Sequence, residues 1–86
     1  MTDLEFDILD ELYFVQSFES IQNALEIDIL LLKDALRQLI EKGWVRCFKS
    51  AATDDVVFAE EIDLDNRYLE YHYLATKEGL LAHNSR

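Results

Sequence analysis

Between Asp3 and Val15 the apolar residues Leu4, Ile8, Leu9, Leu12 and Val15 recur at steps of three and four, with Asp7, Asp10 and Glu11 between them. That spacing lines one face of a helix and predicts an amphipathic first helix over 3–15. Ser17 can offer its hydroxyl to the free N–H groups of a new helix start, and Ile21, Ala24 and Leu25 carry an apolar stripe, so a short second helix is expected over Phe18–Leu25. Asp28 can cap a third helix in the same way. Leu32, Leu36, Leu39 and Ile40 continue at helical spacing until Gly43, a residue that ends helices by adopting the left-handed conformation at little cost.

After Gly43 the period changes. Trp44 to Phe48 is rich in β-formers and alternates as a half-buried strand does, and Ser50–Asp55 reads as a loop. Val56–Ala59 predicts a second strand and the acidic run Glu60–Asp65 a loop. Tyr68–Leu74 predicts a third strand, with Leu69, Tyr71 and Tyr73 on one face. Thr76 to Leu81 closes the chain as a short helix capped by Thr76 and Glu78, and the last few residues are expected to fray.

Eighty-six residues, half of them hydrophobic, without proline or a low-complexity run, make a single domain over 1–86 with a modest core. No uncharged stretch is long enough to span a bilayer, and the acidic N-terminus is unlike a signal peptide, so the expected location is the cytoplasm. One cysteine, Cys47, cannot form an intrachain disulfide, which agrees with a reducing compartment.

The net charge of −10 disfavours nucleic acid as a partner, because affinity for DNA comes largely from Lys and Arg neutralising phosphates. Its distribution matters. Residues 33–49 carry Lys33, Arg37, Lys42, Arg46 and Lys49 against Asp34 and Glu41, a local balance of +3 that leaves −13 on the rest. Any surface for an anion must lie in that window.

The order helix, helix, helix, strand, wing, strand resembles the winged helix-turn-helix family. Ser20–Asp28 resembles that family's second helix and turn, and Leu32–Arg46 its third helix running into the first wing strand. The most specific signal is the ending Leu36-x-x-Leu39-x-x-Lys42-Gly43-Trp44-Val45, and Tyr73–Gly79 is similar to the closing strand and helix of many bacterial winged-helix regulators. The resemblance implies an α+β fold: a three-helix winged helix-turn-helix with a small antiparallel β wing and a short C-terminal helix.

Two departures bear on function. Glu26 stands where many members carry glycine, so a longer or differently shaped turn is expected there. Ile29, Leu30 and Leu31 stand where DNA-binding members place Ser, Thr, Arg or Gln, and aliphatic side chains offer no hydrogen bonds to base edges. With Asp34, which repels phosphate, they suggest a protein-contact patch for a partner or a second copy in a homodimer. The alternative is that a longer wing or a shifted first helix covers them. Lys33, Arg37, Arg46 and Lys49 form the nucleic-acid face under a DNA-binding reading; the plainer account pairs them with Asp34 and Glu41 on a solvated face.

Other constellations carry less. Cys47 and the two histidines are too few for a structural zinc site, so no metal is expected and Cys47 reads as a buried apolar residue. The acids Asp54, Asp55, Glu60, Glu61, Asp63 and Asp65 lack the spacing and central glycine of a calcium loop and read as a solvated segment or a surface for a basic partner. Trp44, Tyr68, Tyr71 and Tyr73 read as packing residues or an interface rim. No phosphate loop or activated nucleophile is present in recognisable form, so neither catalysis, a cofactor nor a small-molecule substrate is expected.

Overall fold

The chain enters its first helix through a reciprocal cap: the Thr2 hydroxyl accepts the Glu5 N–H at 3.1 Å, and the Glu5 carboxylate accepts the Thr2 N–H at 2.9 Å. The computed structural model describes residues 1–85 as an α+β fold, Arg86 lying outside the described residues. Helix α1 (Asp3–Glu11) leads to a short strand β1 (Gln16–Ser17), followed by α2 (Phe18–Leu25), α3 (Ile29–Glu41), β2 (Val45–Phe48) and β3 (Val56–Val57). A 3-10 turn (Ala59–Glu61), α4 (Leu64–Arg67), β4 (His72–Ala75) and α5 (Lys77–Asn84) complete it.

Local chemistry accounts for most of these boundaries. The Ser17 hydroxyl accepts the Ser20 N–H, the Asp28 carboxylate accepts the N–H groups of Leu30 and Leu31, and the Thr76 hydroxyl accepts the Gly79 N–H. At the end of α3, Gly43 takes φ +78°, and the N–H groups of Gly43 and Trp44 donate back to the carbonyls of Ile40 and Leu39. That pair of bonds closes the helix and aims the chain into β2. Helix α2 ends without glycine: Glu26 itself takes the left-handed conformation, φ 52°. A residue with a side chain thus holds the geometry that glycine favours.

The sheet is antiparallel, with strands in the order β1-β4-β2-β3. Helices α1, α2 and α3 bury Ile8, Leu9, Ile21, Leu32, Leu36 and Leu39 together with Leu12, just past α1, and Val45, Cys47 and Tyr73 of the sheet. Each large apolar side chain removed from water in this way contributes about 1.5–3 kcal/mol. Helix α5 seats on the start of β2, where Thr76 donates from its N–H to the Trp44 carbonyl and from its hydroxyl to the Gly43 carbonyl. A Cβ on Gly79 would run into the Trp44 carbonyl, so this close approach requires glycine.

Five features differ from the sequence expectation. The first helix stops at Glu11, because the Leu12 carbonyl accepts the Ala75 N–H and residues 16–17 pair with His72 and Tyr73 in the sheet. The second strand is shortened to Val56–Val57, since Phe58 caps the 3-10 turn. Tyr68–Glu70 is turn rather than strand, and the acidic run Glu60–Asp65 is not a plain loop: Asp63 caps α4 within it. Helix α5 continues to Asn84 instead of fraying, because the His83 ring stacks on Phe6 at 4.2 Å and the Tyr13 hydroxyl bonds the side chains of His83 and Asn84.

Candidate interaction surface

Helix α3 has two differently occupied sides. Its inner side, Leu32, Ala35, Leu36 and Leu39, is buried. The outer side opens with Ile29, Leu30 and Leu31, which are 38%, 71% and 57% exposed. Among the described residues no other element covers them. Asp28 fixes this turn, its carboxylate lying 2.9 Å from the Leu30 nitrogen. Asp34 follows one turn further along the same side, exposed and accepting from the Gln38 side-chain amide at 3.1 Å.

The cations of the window 33–49 fall into three groups. Lys33 and Arg37 face α4: the Lys33 ammonium sits 3.9 Å from the Tyr68 ring centroid and donates to the Asp65 carbonyl, and the Arg37 guanidinium bonds the Asp65 carboxylate at 3.0 Å. Arg37 reaches Asp34 only at 3.9 Å. Spacing along α3 had suggested Asp34 and Glu41 as the partners; the closer one comes from the acidic segment 28 residues away, which no local pattern announces.

Lys42 is committed elsewhere, 2.7 Å from the buried carboxylate of Glu5 and over the Trp44 ring. Burial alone would raise the Glu5 pKa, but the hydrogen bonds and charge supplied by Lys42 and Thr2 outweigh it and hold the carboxyl below its ordinary value. Arg46 and Lys49 form the third group, exposed and without an ion pair among the described residues.

Two tyrosines that read as strand residues position α4 against α3. The Tyr71 hydroxyl accepts the Asp63 N–H at 3.1 Å at the start of α4, and the buried Tyr73 hydroxyl donates to the Tyr68 carbonyl at 2.9 Å just past its end. Tyr68 also sets its ring edge-on to Phe18, with centroids 4.6 Å apart. Leu69, in the turn after Tyr68, is exposed. Sequence reasoning gave Asp65 to a solvated segment or a surface for a basic partner and Tyr68 to packing or an interface rim, but did not bring either to α3, because their placement depends on the fold of the segment between β3 and β4.

Cys47 is buried in β2, and burial pushes its thiol up to about 12, so it is protonated and unreactive at neutral pH. His72 lies on the adjacent strand, opposite Phe48. Among the described residues no group of three or more His, Cys, Asp or Glu side chains is gathered as metal ligands, and no helix is long and apolar enough to cross a membrane. No family model, curated protein or solved structure matches the chain.

Proposed function

We propose that the chain is a winged-helix domain without catalytic chemistry, acting as a protein-interaction or regulatory module through the outward start of α3. Three helices followed by two strands, β2 and β4, that pair across an intervening segment fit the order the sequence resemblance implies. The observation that carries the reading is the exposure of Leu30 and Leu31 on a helix whose cations Lys33 and Arg37 already have acidic or aromatic partners. Exposed aliphatic area gains about 25 cal/mol per Å2 on leaving water, whereas a base edge offers it little.

A second reading, a DNA-binding regulator of the same fold, is favoured by one observation: Arg46 in β2 and Lys49 just past its end are exposed and, among the described residues, without an ion pair. Fluorescence anisotropy of a labelled mixed-sequence duplex, titrated at low and moderate salt, separates the two. The protein-interaction reading expects no binding even at low salt. A salt slope of about −2, at roughly 0.9 per phosphate contact, would report Arg46 and Lys49 engaging DNA and give the second reading the lead.

A further inference from the structure

We propose that the cleft between the end of α3, the open end of the β2–β3 ribbon and the 3-10 turn binds a small carboxylic acid with an apolar tail. The cleft is separate from the start of α3, so this goes beyond the protein-contact reading. Its volume is about 440 Å3, within the range of small-molecule sites. Buried Val45, Cys47 and Val57 line it, with Ile40 and Ile62 half-buried and Phe58 exposed. A mainly apolar lining with a few polar groups to orient the ligand suits an apolar tail.

The polar end comes from β2. Strand β3 stops at Val57, opposite Cys47, so no β3 residue stands opposite Val45. In an antiparallel sheet the backbone groups of successive residues turn alternately to one side and the other. Ala75 stands opposite Val45 on β4, yet its N–H donates away from β2, to the Leu12 carbonyl. Val45 and Ala75 therefore exchange no hydrogen bonds, and the Val45 N–H and carbonyl face the side where β3 has ended. The Lys49 N–H, at the same phase of the strand, faces that side too and donates to the Asp55 carbonyl. Arg46 is the one charged side chain lining the cleft among the described residues, and it is exposed without an ion pair there. The acids of the adjoining elements lie elsewhere: Glu41 lines the gap beside Arg37, Glu61 the one beside Lys49 and Arg67, and Glu60 is not among the lining residues. A backbone N–H and a neighbouring guanidinium make charge-assisted hydrogen bonds to one carboxylate. The net charge of −10 repels ligands with several negative charges, which leaves a monocarboxylate held chiefly by its tail.

The test titrates the isotope-labelled full chain with decanoate and, separately, with decanol, both below micelle formation, and follows the backbone amide shifts. Decanoate is expected to move amides within 43–47 and 56–62, Val45 foremost. It should bind about tenfold more tightly than decanol, because only the acid makes hydrogen bonds as a charged group. Arg46→Gln should remove most of that difference. Ala59→Trp, which fills the cleft from an exposed position, should block both ligands, while Leu81→Ser, on α5, leaves them unchanged. All three altered residues are exposed, so the variants should keep the melting behaviour of the parent. Equal affinity for the two ligands, decanoate binding indifferent to Arg46→Gln, or shifts centred on Leu30 and Leu31 overturns the proposal. So does a silent titration with decanoate; if an extended peptide then moves the same amides, the open edge of β2 takes a strand and not a small acid.

Discussion

At Glu26 a side chain occupies backbone space that glycine enters freely, with φ 52° at the exit of α2. The chain must turn there to start α3 three residues later, and no glycine is available to do it. Glu26→Gly should therefore stabilise the fold by about 0.5–1 kcal/mol, the relief of strain exceeding the added freedom of the unfolded chain; a urea titration reads the shift. Destabilisation by the same amount would mean that the Glu26 side chain has an unseen role. Glu5 is the other residue whose surroundings set a measurable property. Its folded pKa lies below its ordinary value of 4.5, so its contribution is fully present above that value and is lost as the pH falls through the lowered one. Glu5→Ala should cost about 2 kcal/mol at neutral pH, discounted for the partly exposed Lys42, and the cost should shrink in acid. Melting temperatures of parent and variant that draw together as the pH falls below 4.5 would bear this out; a constant gap would not.

Helix α4 has only four residues and owes its place to its neighbours. Tyr71 and Tyr73 hold its two ends, and Phe18 and Lys33 hold the Tyr68 ring that follows it. Removing the hydroxyl donor with Tyr73→Phe leaves a carbonyl without its partner and should cost about 1 kcal/mol. Amide exchange should then accelerate over residues 63–70 before it does in α3 or β2; uniform acceleration would mean that α4 has no independent stability. The same element marks where the sequence stops being legible. The helices carrying strong period and caps, α2 and α3 with Ser17, Asp28 and Gly43, lie where the pattern places them. Strand β1 has two residues, too few to show alternation, and its pairing is decided by Tyr73 and His72 far along the chain. Helix α4 sits in an acidic run whose composition resembles a loop, and its packing is dictated by tyrosines beyond it. The candidate surface divides in the same way: Leu30, Leu31 and Asp34 follow from helical spacing, while Asp65 and Tyr68 join it only through tertiary contacts.

Taken whole, the molecule concentrates its cations near α3 and β2 and leaves −13 on the remainder, so its surface repels acidic polymers and attracts basic ones at long range. Its sheet is assembled out of chain order. Strand β4, the last strand to be written, is the one that lies between β1 and β2 and carries the buried Tyr73. During synthesis, then, β1 and β2 emerge with a gap between them, and α1 to α3 have no completed surface to rest on until residues 72–75 are available. A ribosome paused in the acidic segment would hold a chain whose helices can meet one another but lack the strand that carries Tyr73. The pairing of β1 and of β2 is thus settled by a strand that comes after both, and the sheet cannot be completed before residues 72–75 are in place.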